Sequence, residues 1–252
     1  MIYGYFHQGS GLGNQLHRYV ATRVLAQDKG YDFGMYQPEL FKGASFMELD
    51  MGKPIEDTEF AQWREKEIRE NGVDIRSYDP EINFVKDWTG IDGELQDEKY
   101  FNHRLVDVRD WLGVEPLEMP DNVCIIGFRG GEYALFPELF LTKDYWDEAI
   151  FLMRMQYAAK YGDVTFQVHT DDPITAKKFF PEYECIQDIS LNWRSVRYAK
   201  HLIIANSSFY IFPALLNENV QEVIAPKYWA RRNTKTWALP QNYYSDKRWM
   251  YI

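Results

Sequence analysis

The sequence has few of the residues that build covalent or metal-bound frameworks. Its 252 residues include two cysteines, Cys124 and Cys185, which lie far apart and form no CxxC pair. A disulfide scaffold and a zinc knuckle are therefore excluded. The five histidines show no metal-ligand spacing. These absences predict a reduced protein without a structural metal.

Long apolar runs and an excess of positive charge are also missing. No window approaches the ~18 consecutive apolar residues of a membrane span, and residues 1–11 lack the charged and apolar regions of a signal peptide. The 28 Lys and Arg residues against 38 Asp and Glu residues give a formal net charge of −10, which argues against a dedicated nucleic-acid binder. We therefore expect a cytoplasmic protein with no membrane span and no nucleic-acid partner.

Strand-like runs and helical spacing alternate along much of the chain. In the second half, strands are predicted at 123–128, 164–169, 183–186, 202–205 and 220–225, with helical patterns between them. At the start, residues 1–6 predict a strand, 9–13 a tight glycine turn, and 14–29 a helix that Gly30 caps. A second strand is predicted at 31–35. This alternation predicts an α/β fold with βαβ units and parallel sheets.

The middle of the chain divides the sequence into two parts. Residues 60–70 predict a charged helix, residues 79–97 are rich in turn formers, and residues 116–121 resemble a linker. We place a domain boundary at this linker, with an N-terminal domain at 1–118 and a C-terminal domain at 119–252.

Four polar or glycine-rich segments follow predicted strands, where open parallel sheets bind ligands. They are residues 9–14, 129–132, 170–173 and 206–208. In the first of them, glycines and a helix N-terminus favour an anion such as phosphate. Asn14 and Gln15 occupy the Lys and Ser/Thr positions of a Walker A loop, and Asn14 replaces the last glycine of a dinucleotide fingerprint. A tight turn without a ligand is the alternative.

The other three segments each allow a functional and a structural interpretation. Arg129 offers a planar fork of donors suited to a pyrophosphate, or is a surface residue in a turn. Glu132 is a candidate general base, or a solvated carboxylate. Of Asp171 and Asp172, one is predicted to cap a helix and the other to bind guanine or a metal. Residues 206–208 can cap the following helix or bind phosphate there.

Two of these segments resemble motifs of the α-1,2-fucosyltransferases, glycosyltransferase family 11, within the wider GDP-fucose-dependent superfamily. GLGNQLHRYVA at 11–21 is similar to their GLGNQ-x-F-x-Y-A, and ANSSFYIFPALLN at 205–217 to their ANSSFSWW-A-x-L. VIAPKYW at 223–229 resembles VIAP-K-x-W, and TDDP at 170–173 resembles a nucleotide-binding segment of the superfamily. One motif departs: H-x-R-R-x-D aligns with residues 127–132, where Arg129 is kept, Gly127 and Gly130 replace His and Arg, and Glu132 replaces Asp.

The resemblance implies a GT-B-like fold, with two Rossmann-like domains whose parallel sheets face across a cleft. It implies inverting, metal-independent transfer of L-fucose from GDP-fucose to a glycan hydroxyl. The C-terminal domain would bind the nucleotide sugar and the N-terminal domain the acceptor, while the glycine loop closes over the pyrophosphate. The implied catalytic residues are Arg129 and Glu132. The implied donor-binding residues are Gly11, Gly13, Asn14, Asp171, Asp172, Asn206, Ser207, Ser208 and Phe209.

Three alternatives stay open. Because Gly127 and Gly130 depart from the motif, the donor could be another nucleotide sugar, or the protein could bind a nucleotide sugar with weak or no transfer. A third alternative is an NAD-dependent Rossmann enzyme that uses Gly9, Gly11 and Asp32.

Overall fold

The computed structural model describes residues 1–55, 61–66, 68–70, 73–75, 78–137, 139–158, 162–228 and 246–252. The chain divides into two compact units, Met1–Val114 and Glu115–Ile252. Each unit is built on a parallel sheet, so the predicted α/β class with two parallel sheets is confirmed. No helix in these described ranges is both long enough and apolar enough to cross a membrane.

The first unit combines a parallel sheet with one long helix. Its strands are β1 (Ile2–Tyr5), β2 (Phe33–Tyr36), β3 (Ala61–Arg64), β4 (Ile68–Glu70), β5 (Val73–Ile75) and β6 (Thr89–Asp92), and its helices are α1 (Leu12–Lys29) and α2 (Leu105–Trp111). The parallel sheet has the order β2-β1-β6-β3, and β4 pairs antiparallel with β5. A Cβ on Gly4 would lie 2.2 Å from the Thr22 side-chain oxygen, so this glycine lets α1 approach β1 closely.

The end of α1 agrees with the sequence pattern, whereas its start at Leu12 lies two residues before the predicted one. The helix ends at Lys29, and Gly30 adopts a left-handed φ of 68° while its N–H bonds to carbonyl oxygens of the last turn. A residue without a side chain takes this conformation most easily, so the predicted cap is confirmed.

The charged helix predicted over residues 60–70 is wrong. The structure has β3 and β4 in this part of the chain, while Phe60 lies outside the described residues. β3 is an edge strand that pairs on one side with β6, and three of its four residues are exposed. Charged side chains on such an edge reach water as well as they would from a helix, so their pattern did not distinguish the two structures.

The second unit carries a larger sheet. Its strands are β7 (Val123–Phe128), β8 (Thr165–Thr170), β9 (Glu184–Ile186), β10 (His201–Ile204), β11 (Glu222–Ala225) and β12 (Trp249–Tyr251), and its helices are α3 (Lys143–Ala158), α4 (Pro173–Phe179), α5 (Ile189–Tyr198) and α6 (Ser208–Leu215). The strands are parallel in the order β12-β11-β10-β7-β8-β9. The five strands predicted for this half of the chain are confirmed, and β12 was not predicted.

The order of these strands creates a switch point. From β7 the chain moves outward through β8 to β9, and it then returns to β10 on the other side of β7. Connections leave β7 and β10 in opposite directions, which opens a crevice at their carboxyl ends. A ligand site in this unit is therefore expected where residues 129–132 and 205–208 begin.

His17 and His169 are two of the three histidines that are buried inside the units. His17 in α1 donates from Nδ1 to the Gly13 carbonyl oxygen at 2.8 Å, and His169 in β8 has its Nδ1 2.8 Å from Asn192 Oδ1. Removal of the rings from water lowers the pKa of both to about 4. Both side chains are therefore neutral at pH 7.

We expect the free energy of unfolding to fall as the pH is lowered from about 6.5 to about 4. In this range the unfolded chain binds protons that His17 and His169 do not bind in the folded state, so the stabilisation is complete above 6.5 and is lost toward 4. Each residue contributes on the order of 3 kcal/mol. Urea unfolding between pH 7.5 and 4 measures the effect.

The variants His17→Asn and His169→Asn should each reduce this pH dependence, because the amide nitrogen can replace Nδ1 without titrating. His103→Asn, at a partly exposed position, serves as the control. A free energy of unfolding that stays constant over this pH range would contradict the expectation.

Candidate functional site

The carboxyl ends of β7 and β8 bring three predicted residues into contact. Arg129, the first residue after β7, donates from Nη1 to Asp171 Oδ2 at 2.5 Å and from Nη2 to Glu132 Oε1 at 3.1 Å. Its guanidinium carbon lies 5.2 Å from the centre of the Tyr133 ring, within cation–π range. The Arg129 side chain is 27% exposed. It is thus fixed by three neighbours and still open to a ligand.

Two glycines allow this arrangement. Asp171 Oδ1 accepts the Gly130 N–H at 2.9 Å. A Cβ on Gly131, where φ is 44°, would lie 2.5 Å from Asp171 Oδ2, and a Cβ on Gly130 would lie 2.7 Å from the Asp172 Cβ. These two glycines therefore let the backbone approach the two aspartates closely.

The two aspartates have different partners. Asp172 is the N-cap of α4, and its Oδ1 accepts the Thr175 N–H at 3.0 Å. Hydrogen bonds from Thr175 hold the pKa of Asp172 below its usual value. Asp171 instead has both oxygens engaged, by Arg129 and Gly130. Asp172 is therefore the capping residue, and guanine recognition by Asp171 stays a prediction.

Four predicted residues follow β10. Asn206 is 2% exposed; its Nδ2 donates to a backbone carbonyl at 2.9 Å, and its buried Oδ1 has no partner among the described residues. Ser207 occupies the N-cap position of α6, but its side chain makes no cap hydrogen bond, so the structure does not support the capping interpretation of this residue. Ser208 begins α6 and Phe209 is half-buried.

Tyr210 connects these strand ends and was not predicted. Its hydroxyl lies 3.1 Å from the carbonyl oxygens of both Phe128 and His169, the first at the end of β7 and the second in β8. Burial raises the pKa of Tyr210, so the phenol stays protonated and can donate. A Cβ on Gly127 would lie 2.8 Å from the Tyr210 ring. The small residue in β7 thus makes room for this tyrosine.

In the first unit, the glycine turn connects β1 to α1. Gly9 has a φ of 81°, and a Cβ on Gly9 or Gly11 would meet nothing within 4 Å. Gly11 is the N-cap of α1, Gly13 is buried in its first turn, and Asn14 Oδ1 accepts from Gln96 Nε2 at 3.1 Å. The structure therefore gathers Gly11, Gly13 and Asn14 at the carboxyl edge of the first sheet. Their role in donor binding stays a prediction.

A buried arginine holds this turn, and sequence reasoning missed it. Arg18 is 8% exposed and donates from Nη1 to Ser10 Oγ at 3.1 Å. Its Nε donates to the Gly93 carbonyl at 2.7 Å and its Nη2 to Glu94 Oε1 at 3.2 Å. These partners follow β6, about 75 residues away in the chain. Arg18 therefore fixes the glycine turn against the neighbouring strand end.

The acid required by the NAD alternative lies at the wrong edge of the sheet. Asp32 precedes β2 and pairs with Lys53 at 2.5 Å. Ile2 and Phe33 are register partners at the amino ends of their strands, whereas the glycine turn follows the carboxyl end of β1. A ribose-binding acid must lie at the carboxyl edge. The structure therefore removes the observation that supported this alternative.

Metal ligands are not clustered in the part of the chain that is described, where no group of three or more His, Cys, Asp or Glu side chains could hold an ion.

Trp229, the last residue of the motif at 223–229, lies outside the described residues.

Three known structures that this chain resembles are named as glycosyltransferases. NodZ α-1,6-fucosyltransferase soaked with GDP-fucose has 12% identity and a TM-score of 0.46, over 88% of this chain and 93% of that chain. Fucosyltransferase NodZ from Bradyrhizobium has 13% identity and a TM-score of 0.45, over 88% of this chain and 94% of that chain. E. coli heptosyltransferase WaaC with ADP has 12% identity and a TM-score of 0.43, over 100% of this chain and 93% of that chain.

No protein-family model matches the chain, and no curated protein matches it. None of the three structures is named an α-1,2-fucosyltransferase, so the narrower resemblance stays a prediction. At 12–13% identity, the donor and the acceptor must be argued from the chain's own residues.

We expect Gly127→Ala to destabilise the second unit by about 1–3 kcal/mol, because the new methyl group would overlap the buried Tyr210 ring. Urea unfolding measures the loss. Adding Tyr210→Ser should make Gly127→Ala less costly, since the ring that it meets is gone. If Gly127→Ala lowered the free energy of unfolding equally with Tyr210 and with Ser at position 210, the close contact would be contradicted.

Proposed function

We propose that the protein is an inverting glycosyltransferase that transfers L-fucose from GDP-fucose to a hydroxyl of a glycan. The second unit would bind the nucleotide sugar and the first unit the acceptor. One observation carries the proposal: the guanidinium of Arg129, held by Asp171, lies at the end of β7 beside the switch point. A fixed guanidinium fork at this position suits a diphosphate. The similarity of residues 11–21 and 205–217 to fucosyltransferase motifs supports GDP-fucose as the donor.

The two carboxylates on Arg129 differ in how firmly they are held. Asp171 is 30% exposed and is tethered by the Gly130 N–H, whereas Glu132 is 69% exposed and pairs with Arg129 alone among the described residues. A diphosphate can therefore replace Glu132 on Nη2 while Asp171 keeps Nη1 in place. We propose that Asp171 orients the Arg129 side chain, and that Glu132 stays bonded to Nη2 of Arg129 until the nucleotide sugar binds.

The chemistry assigned to Arg129 is stabilisation of the leaving group. As the acceptor oxygen approaches the anomeric carbon, negative charge accumulates on the β-phosphate. Hydrogen-bond donors that already point at that charge lower the activation barrier of the transfer, since they need no reorganisation. The backbone N–H groups at the N-terminus of α6 would add hydrogen-bond donors of the same kind. The Ser207 hydroxyl lies beside them and makes no cap hydrogen bond. We propose that transfer needs no metal, so that excess EDTA leaves the rate unchanged.

We expect Arg129→Ala to reduce transfer about 10²–10³-fold, the usual cost of losing one donor to transition-state charge. Release of GDP from GDP-fucose in the presence of glycan acceptors measures the rate. Arg129→Lys should recover only part of it, because an ammonium cannot form the fork.

Arg154→Ala is the matched control for this experiment. Its guanidinium also lies over an aromatic ring, 5.4 Å from the centre of Phe166, and it bonds to Tyr183 Oη at 2.8 Å. Phe166, however, is near the amino end of β8. Near-normal turnover by Arg129→Ala, or an equal loss in Arg154→Ala, would count against the assigned role.

Thermal shift measurements distinguish the proposed donor from its alternatives. A specific ligand at 100 times its Kd adds ~2.7 kcal/mol of stability, and we expect this from GDP and GDP-fucose but not from NAD. Stabilisation by UDP instead would indicate another donor. Stabilisation by GDP-fucose without turnover on any glycan would favour a binding protein.

The variant Asp171→Asn separates two roles for this residue. If Asp171 recognises guanine, the variant loses the preference for GDP over UDP. If it only orients Arg129, the preference stays and turnover falls. Unchanged preference together with unchanged turnover would contradict both roles.

A further inference from the structure

Polar side chains at the carboxyl edge of the first sheet include a pair that the proposed donor site does not use. His7 lies just after β1, and Asp92 is the last residue of β6, the neighbouring strand. His7 Nε2 and Asp92 Oδ1 are 2.9 Å apart. The His7 side chain is 44% exposed and that of Asp92 is 21% exposed. The imidazole is therefore accessible, while its carboxylate partner is largely covered.

Neighbouring side chains fix the orientation of this pair. The rings of Tyr5 and His7 are stacked at an interplanar angle of 9°, with their centroids 6.0 Å apart. The second oxygen of Asp92 lies 3.4 Å from Arg64 Nη2 in β3. Because an ionised carboxylate can only accept, it directs the imidazole proton to Nε2 and leaves a lone pair on Nδ1. No described residue hydrogen-bonds to Nδ1 of His7.

We propose that His7 is the base that accepts the proton of the acceptor hydroxyl, and that Asp92 is the positioning residue for its ring. This inference rests on the proposed transferase function. The proton passes from the hydroxyl to His7 Nδ1 while the acceptor oxygen bonds to the anomeric carbon. The bond from that carbon to the β-phosphate oxygen breaks, and GDP leaves with the electron pair. The imidazolium is stabilised by Asp92 and returns its proton to water.

Other side chains are less suited to this role. Glu132 has no partner other than Arg129 among the described residues, so nothing orients it once a diphosphate has taken its place. His17, His169 and His201 are buried, between 0% and 3% exposed. His103 forms a similar pair with Asp28 at 2.6 Å, but Asp28 belongs to the last turn of α1 and not to the end of a strand. His7 combines an accessible ring, a carboxylate partner and a position at the carboxyl end of a strand.

The experiment compares the two His–Asp pairs in the full-length protein. GDP-fucose is the donor, and lactose and N,N′-diacetylchitobiose are the acceptor probes. We expect His7→Ala to lower transfer about 10²–10⁴-fold while the thermal stabilisation by GDP is unchanged. Added imidazole should restore part of the rate, which a purely structural role would not allow. Asp92→Asn should lower kcat less than His7→Ala does, and His103→Ala and Asp28→Asn should keep the wild-type rate.

The pH profile provides a second measurement. Among the described residues, Arg64 on β3 and Tyr5 on β1 are the titratable or charged groups in contact with His7 and Asp92. The wild-type rate should decrease toward acid pH, and His7→Gln should lack this acid limb. Full activity of His7→Ala, or loss of the limb in Glu132→Gln but not in His7→Gln, would overturn the inference. A wild-type protein that binds GDP but transfers nothing to either probe would instead overturn the proposed function, and this inference with it.

Discussion

The ion pair between Arg129 and Asp171 is the interaction on which the polar edge of the second sheet depends. The parallel register places Phe128 opposite Thr170, so the residues that follow β7 and β8 meet directly. Asp171 then binds both the guanidinium and the Gly130 N–H. A long arginine side chain loses rotamer freedom in this geometry, and the hydrogen bonds offset that cost before any ligand arrives. The fold itself therefore positions the guanidinium of Arg129.

The same edge explains why this chain departs from the motif that it resembles. Gly127 and Tyr210 stand where the fucosyltransferase motifs have His and Ser, and a Cβ on Gly127 would already lie 2.8 Å from the tyrosine ring. Space released in β7 is therefore filled from α6. At Gly130, where the motif has Arg, the backbone lies against Asp172. At each of these glycines the backbone therefore lies against another side chain, Tyr210 or Asp172.

Local patterns predicted the elements better than they predicted contacts between distant residues. The helix α1, its cap Gly30 and the alternation in the second unit follow from periodicity and turn chemistry, which act within a few residues. The strand β6 contains Gly90 and lies in a turn-rich stretch, so its sequence gave little indication of a strand. The pair of His7 and Asp92 is separated by 85 residues. It becomes visible only when the order of the strands is known.

Net charge and local charge give different expectations for an anionic donor. At −10 the protein exerts no general attraction on a nucleotide diphosphate, but fields from distant carboxylates are screened beyond ~8 Å at physiological salt. Binding of the anionic nucleotide sugar therefore depends on N–H and O–H groups within hydrogen-bond distance of its phosphates. Arg129 with Asp171 and Glu132 carries one positive and two negative charges, so an anion that takes the position on Nη2 must displace Glu132. A diphosphate, with more charge and more acceptor oxygens than one carboxylate, competes better for that position than a singly charged anion does.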